Sequence, residues 1–264
     1  MGSLDGRIAL VTGSSRGLGR AYALRLAAAG ADVAIHDVTA DKVAEFGEGQ
    51  DIGEAVLAVR ALGRRSVPVL GDLTDPEAVR RVFDEVEAAL GPVDALGNNA
   101  GGDIAARGGR RPDPNDCVRV SPEDVRAVIE RNLFTTIFCC REAASRMMSR
   151  RRGKIVNISS MAGVMPVVEG AIYATAKAGI AFYTKSLALQ MRPFDVHVNC
   201  VAPGPTWTAR FAATRQVASE EGKSQLQRIG RPEEVAAVVE FLLSPQSDHV
   251  SGQVIAVAGG SSHP

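Results

Sequence analysis

The sequence has no excess of charge of either sign, because Lys and Arg together number 30 and Asp and Glu together also number 30. A protein that binds nucleic acid or an anionic membrane through a broad basic surface usually carries a clear excess of cations. The composition therefore gives no reason to expect a nucleic-acid partner. The run Arg150-Arg151-Arg152 is better explained as the cationic end of a helix.

The sequence also lacks an apolar run of ~18 residues, which a membrane-crossing helix needs. Its first residues do not combine a basic segment with a long apolar one, so they do not form a secretion signal. Gly6 stands where a myristoylation signal needs Ser or Thr. From these absences we expect a cytoplasmic protein with no membrane partner.

Cysteine is scarce, and its spacing contains no metal-binding or redox pattern. The four cysteines form no CxxC pair and no metal-like spacing with the histidines, so we expect no metal site. Cys139 and Cys140 are adjacent, which favours buried helix positions over a disulfide. A reducing compartment is the simple interpretation.

What the sequence does contain is a regular alternation of short apolar, β-branched segments with helical patterns. Strands are expected at 7–13, 31–37, 65–72, 92–99, 154–160, 196–204 and 252–260. Helices are expected at 17–29, 52–62, 76–90, 122–150, 173–191 and 232–243. We therefore predict an α/β fold with one domain over 1–264. Its core is a doubly wound, Rossmann-type parallel sheet of about seven strands with helices on both faces.

Two segments show neither pattern. Residues 39–51 are rich in Gly and charge, and residues 101–120 are rich in Gly, Arg, Pro and Asp. The second is long for a connection in an α/β fold, so we expect it to be functional or mobile.

The segment VTGSSRGLG (11–19) follows the first expected strand and opens the first helix. Glycines at such a turn let backbone N–H groups approach a diphosphate at the positive end of the helix. The spacing is GxxxGxG rather than GxGxxG, and a tight strand-to-helix turn is the alternative explanation. The residues expected to contact a nucleotide here are Gly13, Ser15, Arg16, Gly17, Leu18 and Gly19.

The end of the second strand bears on which nucleotide is bound. Asp37 lies about 20 residues after the glycine loop, where a carboxylate hydrogen-bonds the ribose 2′-hydroxyl and repels a 2′-phosphate. This favours NAD over NADP. Arg16 argues the other way, since its guanidinium could bind a phosphate. A strand-end turn residue and a solvated cation are the alternatives for these two side chains.

At this point the sequence resembles the short-chain dehydrogenase/reductase family over essentially the whole chain. The resemblance is carried in order by TGSSRGLG (12–19), GDLTD (71–75), NNAG (98–101), RNL (131–133), NISS (157–160), YATAK (173–177) and APGPTWT (202–208). The C-terminal region from 230 to 260 is also similar. Two departures are Ala258, where the family more often has Asp, and the long 101–120 segment.

The resemblance implies a set of site residues. It implies a catalytic group of Asn132, Ser160, Tyr173 and Lys177. It implies further cofactor contacts at Asp72, Leu73, Asn99, Ala100, Gly101, Tyr173, Lys177, Pro203, Gly204, Thr206 and Thr208. It also implies a homotetramer or homodimer, with contacts made by the helices at 122–150 and 173–191.

Tyr173 and Lys177 are four residues apart, so on a helix they share one face. A free phenol titrates near pH ~10, and a nearby ammonium is expected to lower that pKa. Tyr173 is then expected to exchange the alcohol proton by general acid–base catalysis. The resemblance adds that Lys177 holds ribose hydroxyls, Ser160 hydrogen-bonds the substrate oxygen and Asn132 supports a water chain. A packing Tyr and a surface Lys are the alternatives.

The expected function is interconversion of a secondary alcohol and a ketone with NAD, NADP being the less favoured cofactor. One alternative is an NADPH-dependent reductase of a 3-oxoacyl thioester, and another is a catalytically idle nucleotide-binding module. Candidate walls of the substrate pocket are Met161, Val164, Met165, Trp207 and Phe211.

The arginines of the 101–120 segment are a separate question. Arg107, Arg110 and Arg111 are expected either to bind an anionic substrate or to pair with the acidic residues of their own loop.

Overall fold

The computed structural model describes residues 2–107, 109–215 and 219–261, and its centre is one sheet of seven parallel strands. The strands are β1 (Ile8–Val11), β2 (Asp32–Asp37), β3 (Ser66–Leu70), β4 (Ala95–Asn98), β5 (Gly153–Ile158), β6 (Val196–Pro203) and β7 (Val254–Val257). They lie in the order β3-β2-β1-β4-β5-β6-β7. This order confirms the predicted doubly wound parallel sheet.

Helices cover both faces of the sheet. They are α1 (Gly17–Ala28), α2 (Gly53–Ala61), α3 (Pro76–Ala89), α4 (Pro122–Ile129), α5 (Thr135–Arg150), α6 (Ala171–Met191), α7 (Ala209–Thr214) and α8 (Pro232–Leu243). One apolar core joins α1, α2 and α8 to the sheet, and a second joins α3, α5 and α6 to its other face. Strands β1 and β2 are buried at every position, as parallel strands between two helical layers must be.

The helix expected at 122–150 is interrupted. It consists of α4, a π-helical turn over Glu130–Phe134, and α5. Pro122 occupies the first turn of α4, and the Ser121 hydroxyl accepts the Asp124 N–H at 3.1 Å, which fixes where the helix starts. A search for apolar residues with the 3.6-residue period of an α-helix does not detect a single π-helical turn.

Other bounds differ by a few residues. The helix expected at 173–191 starts earlier, at Ala171, after Gly170 in a left-handed conformation (φ +78°). A 3-10 turn, Lys42–Phe46, lies within the segment expected to be a loop at 39–51, and α7 was not predicted. The described part of 101–120 contains neither helix nor strand, as expected.

The order in which successive strands are added to the sheet reverses between β1 and β4. These two parallel strands pair from Ala9↔Ala95 to Val11↔Gly97. From there the chain winds outward through β2 and β3 on one side and through β5, β6 and β7 on the other. The loops that follow β1 and β4 therefore meet at the carboxyl edge, where open α/β sheets bind ligands.

Cys139 and Cys140 are buried in α5, as their adjacency predicted, and burial raises the pKa of the Cys140 thiol to about 12. Within the described residues, no helix combines the length and apolar character needed to cross a bilayer. In the same part of the chain, no group of three or more His, Cys, Asp or Glu side chains is arranged to hold a metal ion.

Candidate active site

A cavity of about 640 Å³ lies over the carboxyl ends of β1, β2 and β4, and we call it the first cavity. It is lined by many of the residues expected to bind a cofactor, namely Gly13, Arg16, Gly17, Leu18, Gly19, Asp37, Asp72, Leu73, Asn99, Ala100, Gly101 and Thr208. The remaining expected contacts lie elsewhere. Ser15 is buried behind this wall, and the others line a second cavity, namely Tyr173, Lys177, Pro203, Gly204 and Thr206.

The glycine loop is tightly wound, and two of its glycines are required by geometry. Gly17 begins α1 with φ +55°, in the left-handed region that disfavours a side chain. A Cβ at Gly19 would lie only 2.1 Å from the Gly13 carbonyl oxygen, so α1 packs directly on the loop. This close packing leaves backbone amides, rather than side chains, at the start of the helix.

An acidic side chain already uses one of those amides. The Gly17 N–H donates to Glu48 Oε2 at 2.8 Å, and Glu48 Oε1 is buried without a hydrogen-bond partner. A carboxylate at a helix N-terminus is electrostatically favoured. The loop therefore accepts an anion here, which fits the diphosphate of a dinucleotide. Sequence reasoning missed Glu48, because nothing in the 39–51 segment indicates that it folds back on the glycine loop.

Asp37 ends β2 with its carboxylate held in place. It accepts the Val38 N–H at 2.8 Å and a short hydrogen bond from the Ser15 hydroxyl. Ser15 thus orients Asp37 from behind the cavity wall. The arrangement presents a buried carboxylate to the first cavity, which fits recognition of a ribose hydroxyl.

Arg16 is not a solvated cation, because it is paired through Nη2, while its Nη1 is buried without a partner among the described residues. Its Nη2 lies 2.7 Å from Glu45 Oε2, and its guanidinium carbon lies 4.6 Å from the centre of the Phe46 ring. Lys42 binds the same carboxylate at 3.0 Å. Two of the cations that line the first cavity, Arg16 and Lys42, therefore share one acidic side chain.

His36 is a second residue that the sequence did not single out. Its Nδ1 accepts the Gly13 N–H at 3.2 Å, and its Nε2 lies 3.0 Å from the Gly71 carbonyl oxygen, so the proton belongs on Nε2. Burial lowers the pKa of His36, which keeps the ring neutral. A neutral His36 ties the glycine loop to β2 and β3. The sequence feature that could have identified it is a histidine that directly follows the apolar run VAI in the strand ADVAIHD.

A second cavity, of about 430 Å³, adjoins the first and brings Ser160, Tyr173 and Lys177 together. Of the expected pocket walls, Met161, Met165 and Phe211 line it. Val164 and Trp207 do not, and they are 50% and 48% exposed. The predicted walls were therefore right for the side chains that face the β5 and β6 ends and wrong for these two.

Tyr173 and Lys177 lie on one face of α6 as their spacing predicts, with the Lys177 Nζ 5.6 Å from the centre of the Tyr173 ring. Lys177 is buried and donates to the Ile158 carbonyl oxygen at 2.9 Å. Burial lowers the pKa of its ammonium to about 8.

The expectation that Lys177 lowers the pKa of Tyr173 is wrong. Burial raises the pKa of the Tyr173 phenol above its ordinary value, and the charge that opposes this most strongly is the guanidinium of Arg210. The Ser160 hydroxyl acts in the same direction as Arg210. The physical reason is that desolvation of a phenolate outweighs the attraction of nearby cations.

Asn132 lies in the π turn and is fully buried. Its Oδ1 accepts the Gly102 N–H at 2.9 Å, and its Nδ2 donates to the Gly102 and Val128 carbonyl oxygens at 2.9 and 2.8 Å. Both amide hydrogens are therefore used in holding the end of β4 against the helix. Only a lone pair on Oδ1 remains for the water chain that the resemblance implies.

The arginines of the 101–120 segment are not equivalent. Arg111 donates to Asp103 Oδ2 at 2.7 Å and lies 3.6 Å from Glu169. Arg107 and Arg110 are exposed and lie on the wall of neither cavity. Of the two alternatives, pairing with an acidic residue of the same loop is therefore correct for Arg111. Gly108 of this segment lies outside the described residues.

Arg210 was not predicted, although it stands at the junction of the two cavities and lines both. Its Nη1 donates to the Gly101 carbonyl oxygen at 3.2 Å. A Cβ placed on Gly102 would lie 2.5 Å from that nitrogen, so the guanidinium rests directly on the chain after β4. Sequence analysis could have identified Arg210 because it is a cation two residues after Thr208, in a segment expected to contact the cofactor.

The chain is similar to a known protein family over most of its length. Residues 7–219 match the family model for short chain dehydrogenases. A cyclohexanol dehydrogenase of Rhodococcus sp. (strain TK6) is 39% identical over 97% of this chain and 96% of its own length. A 3-oxoacyl-(acyl carrier protein) reductase of Aquifex aeolicus (strain VF5) is 36% identical over 97% and 98%.

The same family is found among solved structures. A crystal structure of a 3-oxoacyl-(acyl carrier protein) reductase from Brucella melitensis with bound NAD superposes with a TM-score of 0.81. It is 30% identical, and the match covers 99% of this chain and 93% of that chain. The chain belongs to the short-chain dehydrogenase/reductase family, a family of oxidoreductases that use NAD or NADP.

Proposed function

We propose that this protein interconverts a secondary alcohol and a ketone, using NAD in preference to NADP. The observation that carries the proposal is the meeting of Ser160, Tyr173 and Lys177 in one cavity that adjoins a glycine-loop cavity. An idle nucleotide-binding module has no use for this acid–base group. The similarity to a cyclohexanol dehydrogenase supports a neutral secondary alcohol as one substrate class.

The residues present fit a dinucleotide across both cavities. Gly17 and its loop neighbours would hold the diphosphate in place of Glu48, and Asp37 would accept a ribose hydroxyl. Leu73 would contact the adenine end, and Thr208 the nicotinamide end. When bound, the nicotinamide ring accepts or supplies the hydride.

Proton transfer belongs to Tyr173. Because burial raises the pKa of its phenol, Tyr173 is protonated near neutral pH and can donate its proton to the oxygen of a ketone. The Ser160 hydroxyl, in the same cavity, would hydrogen-bond that oxygen and orient it. In the direction of oxidation, Tyr173 must accept the proton as a phenolate, which nearby positive charge stabilises.

Lys177 and Asn132 take supporting roles in this proposal. Lys177 is fixed by the Ile158 carbonyl oxygen and would bind the ribose hydroxyls next to Tyr173. Asn132 is a positioning residue, because its amide is committed to Gly102 and Val128.

The preference for NAD is supported by the first cavity. Asp37 is oriented by Ser15 and faces the cavity, and a 2′-phosphate beside its carboxylate would be repelled. Arg16, the cation expected to favour NADP, is bound to Glu45. The Brucella melitensis reductase with bound NAD supports the same choice.

A second candidate function is reduction of a 3-oxoacyl thioester with NADPH. The similarity to 3-oxoacyl-(acyl carrier protein) reductases favours it, and a protonated Tyr173 suits the direction of reduction. The Asp37 carboxylate argues against NADPH in this chain.

We also propose that the protein works in the cytoplasm as a single-domain subunit of a homotetramer or homodimer. Phe182 and Leu189 on α6 are 73% and 74% exposed, and apolar side chains of this size on one helix support a contact between subunits. Light scattering of the purified protein measures the assembly directly.

The test of function is a turnover screen followed by absorbance of the reduced cofactor. Secondary alcohols, including cyclohexanol, are offered with NAD and with NADP, and ketones and a 3-oxoacyl thioester with the reduced cofactors. The proposal expects turnover of alcohols with NAD. Turnover of the thioester alone, with NADPH, would select the second candidate. Cofactor binding without turnover of any compound would favour an idle module.

A further inference from the structure

We propose that Arg210 is a recognition site for a carboxylate on the substrate, so that the second cavity accepts a hydroxy acid or keto acid. The inference rests on the proposed function, which fixes the reacting oxygen at Tyr173 and Ser160. It adds a substrate class to that function and assigns the specificity to a residue outside the catalytic group.

The position of Arg210 is set by its neighbours. Thr208 caps α7 by accepting the Phe211 N–H at 3.1 Å, which directs the first turn of the helix over the cavities. The guanidinium reaches the chain after β4, where Nη1 donates to the Gly101 carbonyl oxygen. Arg210 therefore stands across the cleft from its own helix, between the glycine loop and the acid–base group.

Among the described residues, the guanidinium of Arg210 has no counterion. In the parts of the chain that the structure describes, no Asp or Glu oxygen lies within 4.0 Å of its nitrogens. Two other arginines around the site are paired, Arg16 with Glu45 and Arg111 with Asp103. Within the described ranges, Arg131 in the first cavity and Arg215 in the second also lack an ion pair, but only Arg210 lines both cavities. Arg210 is half-buried, and burial lowers the pKa of its guanidinium. A half-buried cation with unused donors at the junction of two cavities can bind a carboxylate through two hydrogen bonds.

The substrate is a better source of that carboxylate than the cofactor is. The start of α1, where the diphosphate fits, already presents the Gly17 amide. Among ionisable groups, the strongest electrostatic partner of Arg210 is Tyr173, and Arg210 is the charge that most favours the Tyr173 phenolate. The guanidinium of Arg210 therefore acts mainly on the second cavity, which contains Tyr173. A carboxylate bound to it there would lie close to the reacting carbon.

The rest of the second cavity limits what else the substrate carries. Met161, Met165 and Phe211 give it apolar walls, and its charged lining residues other than Lys177 and Arg210 are Asp103, Arg111, Glu169 and Arg215, of which the first three pair with one another. We therefore expect a compact, apolar carbon skeleton that bears one carboxylate and one secondary alcohol or ketone.

The test is a binding measurement that needs no turnover. The protein saturated with NAD is titrated by calorimetry with 3-oxocyclohexane-1-carboxylate and with its neutral carboxamide. Oxidised cofactor cannot reduce either ketone, so both form unreactive complexes. The unmodified protein is expected to bind the carboxylate at least ~10-fold more tightly, as a hydrogen-bonded ion pair predicts. Arg210→Gln should remove this preference and leave the carboxamide affinity within about twofold.

Two further variants make the result specific. Arg210→Lys keeps the charge but loses the planar fork, so it should retain part of the preference. Arg110→Gln removes an exposed cation of the neighbouring segment and should behave as the unmodified protein. Thermal unfolding and NAD affinity are measured for every variant.

Each other outcome overturns the inference. Equal affinity of the unmodified protein for the two ketones, or no binding of either, excludes a carboxylate site. A preference that survives in Arg210→Gln places that site elsewhere. Weaker NAD binding in Arg210→Gln, with the preference unchanged, would assign Arg210 to the diphosphate. Oxidation of neutral secondary alcohols by the unmodified protein tests the proposed function separately.

Discussion

The two cavities are built from different kinds of structure. The first is made mostly by short segments at the ends of β1, β2 and β4, and its geometry is set by backbone, as in the packing of Gly19 against Gly13. The second depends on side chains delivered by α6, by α7 and the loop before it, by the segment after β5 that carries Ser160 and Met161, and by the 101–120 segment. A backbone-made cavity fits a common ligand, whereas a cavity made of side chains can be altered for a particular one.

The largest effect is expected for Tyr173→Phe, which should impair catalysis in the second cavity without weakening cofactor binding in the first. Tyr173→Phe removes the proton donor but leaves the Asp37 carboxylate and the glycine loop untouched. Turnover should fall at least ~100-fold, the usual loss for a general acid or base, with NAD affinity preserved. Steady-state kinetics and an NAD titration measure the two quantities. Tyr183→Phe, on the same helix but away from both cavities, is the control, and near-full turnover in Tyr173→Phe would refute the mechanism.

The second prediction concerns the stability of the catalytic side. The pKa of Lys177 is lowered from 10.5 to about 8, so the folded protein binds fewer protons than the unfolded chain between these pH values. The free energy of unfolding should therefore rise with pH across this window, by up to roughly 3 kcal/mol relative to Lys177→Met. Below pH 8 both states are protonated and the difference is constant.

Denaturant unfolding at several pH values checks this prediction. Lys185→Met, which removes an exposed ammonium from the same helix, should follow the unmodified protein across the same range. The same pH dependence in Lys177→Met as in the unmodified protein would show that Lys177 is not the group that titrates.

The third prediction acts on the first cavity alone. Asp37→Ala removes both a hydroxyl acceptor and a charge that repels a 2′-phosphate, so the preference for NAD over NADP should fall by about 10-fold or more. The ratio of kcat/KM for the two cofactors is the measurement. Asp41→Ala, an exposed neighbour, serves as the control. Comparable efficiency with NAD and NADP before any substitution would refute the assignment and point to Arg16.

The smallest expected effect also belongs to the first cavity. Glu48 accepts the Gly17 N–H that a diphosphate would use, so NAD must displace its carboxylate. Glu48→Gln removes the charge from the helix N-terminus and should tighten NAD binding by about 2- to 5-fold. Fluorescence titration measures the affinity, and Glu54→Gln provides a matched change in the same region. Weaker binding in Glu48→Gln would mean that Glu48 is a ligand of the cofactor rather than its competitor.

Sequence reasoning predicted the first cavity more completely than the second, for a physical reason. Gly17, Gly19 and Asp37 follow from the local rules for a strand, a turn and a helix start, which are visible in the order of residues. The spacing of Tyr173 and Lys177 was informative in the same way.

What escaped prediction depends on contacts between distant parts of the chain. Arg210 and Glu48 reach the site because α7 and the 39–51 segment fold over the cleft, and no local pattern specifies that approach. The direction of the Tyr173 pKa was missed because it depends on burial, which a single helix does not reveal.

The two hydrogen bonds between Asn132 and Gly102 should slow the exchange of the Gly102 amide hydrogen with solvent. Gly102 follows β4 and belongs to no strand or helix, yet its N–H is buried and bound to Asn132 Oδ1. Hydrogen exchange there requires the π turn and the end of the sheet to separate, so its protection should resemble that of a strand. The N–H of exposed Arg119, which donates to Asp116 Oδ1 at 2.8 Å, should exchange much sooner. The irregular segment thus begins with one residue as rigid as the sheet, directly beneath the guanidinium of Arg210.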